Sequence, residues 1–328
     1  FTVVTAGGNG LVIDSNRNVA FTNAVSGATS YNGIPFFTDV GNQSMYTHDV
    51  SATDDGAAQN TAYGFQSLKS ITTGDDNIAI GFQSLFLNQT GSRSVAVGDY
   101  ALYTQNNNTL TNNVAVGYRS GASISLGIQN TLIGGLTGDG INIGDDNVAL
   151  GYLALSGTGP GNKNTAIGKG ALQIASQTFA LASGAYNNDP TVTMAASSAV
   201  EVGMVVTSSA ANTIPSGTTV ASISGGSVTT FELSASTTGG AVTGATLTFA
   251  GGQDANNTAV GYNAGGSVTT GLQNVIIGSS AADALTTGNE NSIIGYNAGG
   301  VMTVANYNTA LGRSALSSSV DGAHNTAI

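Results

Sequence analysis

The sequence predicts an all-β protein, a parallel β-solenoid of 17-residue coils interrupted once by a separate β-rich module. Three observations carry that expectation. A short pattern, seen as "NTAYGFQSL" from Asn60 and "NIAIGFQSL" from Asn77, returns through most of the chain at one spacing. Its apolar places hold mainly β-branched residues, and each unit carries a Gly that a helix would tolerate poorly. Charged residues are only 8 % of the 328, against 41 % apolar and 47 Gly, with no Cys and no Trp. That balance excludes an ordinary charged globular surface, a disulfide framework and a disordered chain, so stability must come from packing or from partners.

Residues 1–59 precede the repeat and are expected to form a connector. Within them "LVIDSNRNVAF" alternates about Asn16-Arg17-Asn18 and reads as a β-hairpin. From there the pattern places Asn at 60, 77, 113, 130, 147, 164, 257, 274, 291, 308 and 325, with Ser94 standing in once. The step is 17 residues except for 19 from Ser94 to Asn113 and 93 from Asn164 to Asn257. The long step is one normal coil plus an insertion of 76 residues. A fixed short period of this kind is the mark of a solenoid. Residues 60–176 therefore give seven coils and residues 253–328 five, the last truncated. At about 4.8 Å per coil, twelve coils make a rod of roughly 60 Å.

Residues 177–252 change chemistry: "PTVTMA", "GMVVTS", "TTVASIS", "TTFELSAS" and "ATLTFA" read as short strands between turns. A small β-sandwich or barrel-like module with adjacent ends is expected, because the coils on both sides resume in phase, and it is expected to project sideways from the rod.

Within each coil the first place is the ladder residue. Asn60, Asn77, Asn113, Asn130, Asn147, Asn164, Asn257, Asn274, Asn291 and Asn308 are expected to stack and hydrogen-bond from coil to coil. The fourth place, held by Ile80, Val97, Val116, Ile133, Leu150, Ile167, Val260, Ile277, Ile294 and Leu311, is the expected core. The Gly that follows turns the chain with positive φ or passes close to its neighbour. Since Ala at the third place and the aliphatic at the fourth point to opposite faces, both faces of the strand are apolar. The second face, to which Leu68, Leu85, Leu102, Leu155, Leu172 and Leu316 are assigned, needs another chain, and a cyclic oligomer follows.

Chemistry-bearing constellations are sparse. The seven basic residues are scattered singly and the net charge is −11, which would repel a phosphate backbone, so no nucleic-acid partner is expected. No run of eighteen apolar residues is present, so no membrane insertion is expected in this stretch. His48 and His324 stand alone, "GKG" at Gly168 lacks the rest of a phosphate loop, and no "GxSxG" elbow occurs. "GDDN" places Asp75, Asp76, Asp145 and Asp146 in turns, where a structural role outweighs calcium binding. Of three Glu, only Glu201 and Glu232 share the insertion, with Glu290 elsewhere, a weak basis for paired-carboxylate hydrolysis. No catalytic residue, metal or cofactor is expected. Aromatics follow the Gly at Phe65, Phe82, Tyr118, Tyr152, Tyr262 and Tyr296. They read first as a ladder covering the strand edges, and Tyr118, Tyr152, Tyr262 and Tyr296 are candidate surface contacts for sugar rings.

The units "NTAIGKGAL", "SVAVGDYAL" and "NVALGYLAL" resemble the head repeats of trimeric autotransporter adhesins, and still more the 17-residue "NTAIGYxAL" arrays of bacteriophage tail fibres. "GLVIDSNRNVAFTNAV" resembles a stretch that precedes receptor-binding regions in tail-fibre proteins, with Asn16-Arg17-Asn18 and Phe21 departing from the pattern. "VGMVVTSSAANTIPSGTTVASISG" is similar to a small β domain of phage tail proteins. The resemblance implies a left-handed β-roll, a homotrimer, and a mechanical and adhesive role in a virion, with baseplate or other tail proteins and a host surface glycan or protein as partners. The rival settings are a bacterial-surface adhesin head and a polysaccharide-degrading spike. The chain reads as a window on a longer protein, and exposed loops of the insertion and residues 103–112 are candidate receptor contacts.

Overall fold

The computed structural model describes residues 11–13, 19–21, 29–31, 34–39, 43–47, 55–106, 110–157, 159, 161–173, 178–197, 200, 202, 204–210, 213–215, 218–223, 228–250 and 254–328. Among them the only regular secondary structure is β. Strands β1 (Leu11–Ile13) and β2 (Val19–Phe21) pair antiparallel, with Leu11 opposite Phe21. The expected turn at Asn16-Arg17-Asn18 lies outside the described residues.

Strands β3 (Thr29–Tyr31), β4 (Ile34–Asp39) and β5 (Ser44–Tyr46) join successively antiparallel, and β5 then pairs parallel with β6 (Thr61–Tyr63). The roll thus begins one coil before Asn60, inside the expected connector. Ser44 occupies the ladder place there, its Oγ accepting the Asn60 N–H at 3.0 Å. A search keyed on Asn at 17-residue steps passes over a Ser at a step of 16. The hairpin of β3 and β4 covers this edge of the sheet, which would otherwise offer free backbone groups.

Each later coil contributes one three-residue strand and otherwise turns: β7 (Ile78–Ile80), β8 (Val95–Val97), β9 (Val114–Val116), β10 (Thr131–Ile133), β11 (Val148–Leu150) and β12 (Thr165–Ile167). They stack parallel and in register, so third place lies on third place throughout. The insertion supplies β13 (Thr178–Asn187), β14 (Thr191–Ser197), β15 (Val205–Ser208), β16 (Val220–Ile223), β17 (Val228–Leu233) and β18 (Ala241–Ala250). The roll resumes with β19 (Thr258–Val260), β20 (Val275–Ile277), β21 (Ser292–Ile294), β22 (Thr309–Leu311) and β23 (Thr326–Ala327). Thr165 pairs directly with Thr258 and Ile167 with Val260, so the 15-stranded sheet crosses the insertion without losing register.

The interior of the roll corrects one expectation. The buried column is the third place, Ala in most coils, together with Leu68, Leu85, Leu102, Leu155 and Leu172, all of them fully buried within the single chain; Leu316 packs against the same cluster. These leucines therefore do not lie on the second face. They reach inward because each sits on a corner in left-handed backbone, for instance φ 52° at Leu68 and 49° at Leu85, which folds the turn back over the alanines. The predicted core residues lie opposite: Ile80, Ile133, Leu150, Ile277, Ile294 and Leu311 are exposed. Val97, Val116, Ile167 and Val260 are half-buried. Strand alternation forces this, since only one side of a single-sheet coil can face its own thin interior.

The insertion is an antiparallel sheet in the order β15-β18-β13-β14-β17-β16. Its two ends meet: Val205 bridges Thr219, Val206 N–H donates to the Thr218 carbonyl at 2.9 Å, and Val220 N–H donates to that of Met204 at 2.9 Å. The strands close on themselves around Phe231, Phe249, Val192, Val206 and Leu247, a barrel-like module. Its ends are adjacent, with Thr178 opposite Ala250. Ile143 of the roll is buried in the same cluster and Leu126 packs against it, so the module is seated on the coils preceding it rather than simply projecting.

Candidate binding surface

The ladder fixes the frame on which every surface group is mounted. Where the next ladder residue stands seventeen residues on, the Asn Oδ1 accepts its backbone N–H, at 2.9 Å from Asn77 to Asn60, 2.9 Å from Asn130 to Asn113 and 3.0 Å from Asn274 to Asn257. Its Nδ2 donates to a carbonyl fourteen residues on, as Asn113 does to Gly127 at 2.8 Å. Asn60, Asn77, Asn113, Asn130, Asn147, Asn164, Asn257, Asn274, Asn291 and Asn308 are all buried. A buried amide that meets two backbone groups is cheap to keep and costly to remove. Where Ser94 replaces Asn, the missing amide comes from elsewhere: buried Gln105 accepts from Asn113 Nδ2 at 2.9 Å and donates to Ser94 Oγ at 3.1 Å. The same irregular coil holds the two extra residues, in the loop 103–112, of which 107–109 lie outside the described residues.

A second ladder runs through the residue two places before the Asn. Asp75 Oδ1 accepts the Ala58 N–H at 2.7 Å, Asp145 Oδ1 that of Ile128 at 2.7 Å, and Asn289 Oδ1 that of Leu272 at 2.8 Å. This explains the first Asp of each "GDDN": its oxygen is committed to a backbone amide. The second, Asp76 or Asp146, supplies left-handed backbone at φ 59° and 57°. Burial pushes the Asp145 carboxyl above its ordinary range, opposed by the Ile128 N–H and reinforced by Asp146 and Asp254. Lys163, hydrogen-bonded to Asp254, holds that carboxyl below its ordinary range. Among the described residues no group of three His, Cys, Asp or Glu could hold a metal ion, and no helix is long and apolar enough to cross a membrane. Glu232 lies in β17 opposite Thr191. Glu201 and His48 lie outside the described residues, and His324 stacks on Tyr307 at 4.8 Å.

Two surfaces remain. The first is the outer sheet face, where the fourth place runs as an apolar column along the roll and the second place, Thr or Ser in the other coils, adds Ile78, Val95, Val114, Val148 and Val275; Ile78, Ile80, Val148, Leu150, Val275 and Ile277 are among the exposed members. The second is the corner after the Gly. Tyr118, Tyr152, Tyr262 and Tyr296 are exposed there. Lys169 lies 5.9 Å from the ring centres of both Tyr152 and Tyr262, and the Arg313 guanidinium is 5.7 Å from that of Tyr296.

In the first coils this corner becomes a continuous group of rings. Phe65 and Phe82 are parallel at 6.0 Å, Tyr100 meets Phe82 edge-on at 5.3 Å and Tyr118 at 6.4 Å, and Tyr103 joins Tyr100 at 5.7 Å and Phe86 at 5.3 Å. The sequence reading followed only the place after the Gly and so missed Tyr100, one place further on, as well as Phe86 and Tyr103. The signal was present one place after the inward leucine, visible once the 17-residue frame is written out as columns.

Fold and surface together define a parallel β-solenoid repeat protein carrying one inserted antiparallel module. No family model matches the chain, and no curated protein or solved structure matches it.

Proposed function

We propose that the chain is the shaft and head-like region of a homotrimeric bacteriophage tail fibre, acting mechanically and as an adhesive toward a bacterial surface. The observation that carries this reading is the outer sheet face. A monomer would leave the fourth-place column of Ile, Val and Leu, broadened by Ile78, Val148 and Val275 at the second place, exposed or half-buried along the roll, although its own interior is already filled. Soluble monomers rarely expose a patch of that extent. Packing three copies about an axis parallel to the coils covers all three faces at once and gives a stiff rod without disulfides or metals. The hairpin and the seated barrel-like module favour the tail-fibre setting through their resemblance to such proteins. An adhesin head on a bacterial surface is the second reading, because the repeat itself suits both. Neither requires a reaction.

Sedimentation of the full chain tests the assembly: a species of three times 32.4 kDa is expected. Ile80→Asp with Ile277→Asp should give folded monomers, because the charges would be buried unpaired. A wild-type monomer refutes the proposal. Peptide sequencing of the intact natural chain separates the settings: a coiled coil followed by amphipathic membrane strands makes it an adhesin, and a baseplate-binding segment makes it a tail fibre.

A further inference from the structure

We infer that the group of rings on coils 60–118 is a binding platform for a linear polysaccharide of pyranose sugars lying along the rod. The inference rests on the adhesive reading above and names the ligand class. The fold does not need these rings. At the place of Phe86 and Tyr103 other coils carry Ser156, Gly266, Gly300 and Ser317, and at the place of Phe65 and Phe82 they carry Gly135 and Ser279, with the same strand, ladder and register. Yet Phe65 is 66 % exposed, Tyr118 54 % and Phe82 36 %, a hydrophobic cost; later coils expose single tyrosines at this corner, whereas here the rings touch one another from coil to coil.

The arrangement suits one occupant. The rings from Phe65 to Tyr118 come one per coil, 6.0, 5.3 and 6.4 Å apart, with Tyr100 set one place over and edge-on to both neighbours, a file along the rod that matches an extended polymer rather than a folded protein surface. Side-chain amides lie beside it, with Gln83 Nε2 donating to Gln66 Oε1 at 2.6 Å, and the Lys69 ammonium is 5.9 Å from the Phe86 ring centre. Apolar rings alternating with hydrogen-bonding groups complement a pyranose, which has an apolar face and a rim of hydroxyls. A lipid or an apolar peptide would leave the amides unsatisfied. Tyr103 opens the irregular loop 103–112, so the platform adjoins the coil that carries two extra residues.

The test uses the full chain on an array of purified bacterial capsular and O-antigen polysaccharides, intact and after periodate oxidation, which opens sugar rings bearing vicinal diols. Wild type should bind a subset, and oxidation should abolish that binding. The variant Phe65→Ser, Phe86→Ser, Tyr103→Ser carries the residue other coils use, so it should keep its sedimentation and hydrogen-exchange protection while losing about ten- to hundredfold in affinity. Three results overturn the inference: wild type retaining no polysaccharide, the variant binding equally well, or the variant losing its assembly, which would assign the rings to a subunit interface. A chain that sediments as a trimer yet ignores every polysaccharide sinks this inference alone and leaves the fibre reading standing.

Discussion

Leu132→Ala should be the most damaging single truncation in the first half of the roll. Leu132 stands at the third place, where neighbouring coils have Ala115 and Ala149, and it is fully buried. Its bulk is accommodated because the inward corner place, Leu in most coils, is Gly121 and Gly138 on either side of it. A Cβ added at Gly121 would lie 2.9 Å from Leu132 Cδ1, and one at Gly138 would lie 2.9 Å from both Leu132 methyl carbons. The interior volume is thus conserved by exchanging a large corner residue for a large strand residue. With glycines around it and the backbone held by two ladders, the site has nothing to collapse inward, so truncation belongs in the upper part of the roughly 2–5 kcal/mol range for Leu to Ala. Repeat proteins unfold locally, so the assay is hydrogen exchange of peptides covering 128–145, where opening should quicken by about several hundred- to several thousandfold. Adding Gly138→Leu to Leu132→Ala rebuilds the pair seen as Ala149 and Leu155. The left-handed backbone it requires is already used by leucines, φ 58° at Gly138 against 52° at Leu155. Most of the protection should return, whereas Gly138→Leu alone overpacks and destabilises by about 1–3 kcal/mol. If Leu132→Ala leaves exchange unchanged, or the pair fails to recover, volume exchange between these places is wrong.

Three further outcomes follow from the same geometry. Asn130→Ala strips the partner from the Asn147 N–H and the Gly144 carbonyl, and should cost about 2–4 kcal/mol, read as faster exchange of the Asn147 amide. Gly117→Ala should disrupt its coil, since φ is +136° and the added carbon would overlap the Gly134 carbonyl, whereas Gly240→Ala, with open space around it, should cost only the strain of a positive φ; thermal unfolding compares the two. Burial raises the Asp145 carboxyl, so its contribution to stability is present below the ordinary carboxylate range and lost as pH rises through the raised value. Asp145→Asn, which keeps an acceptor for the Ile128 N–H and copies Asn162 and Asn289 in the same column, should therefore melt higher than wild type at pH 7 and alike at pH 3; a lower melting point at pH 7 would refute the assignment.

Periodicity made the repeat, the parallel strands, the Asn ladder and the point of insertion legible, because each is a requirement placed on the same residue in every coil. What the pattern hid is where coils compensate for one another. Ser44 and Ser94 fill a ladder place with a shorter side chain, and Gln105 restores the second lost amide from eleven residues away. The first Asp of "GDDN" looks like any turn residue until its oxygen is seen on the amide of the coil below. The aromatic group spans three columns of the frame, so counting one column found only part of it.

The sequence by itself determined the period, the strand and the apolar character of both its faces, since alternation and coil spacing follow from covalent geometry. Which face is the interior was decided only by the tertiary structure. The corner residues adopt left-handed backbone and turn Leu68, Leu85 and their equivalents inward onto the alanines, leaving Ile80, Ile277 and their column outside. Backbone handedness at a corner is a property of the closed coil, stabilised by the coils above and below, and no local run of residues encodes it alone.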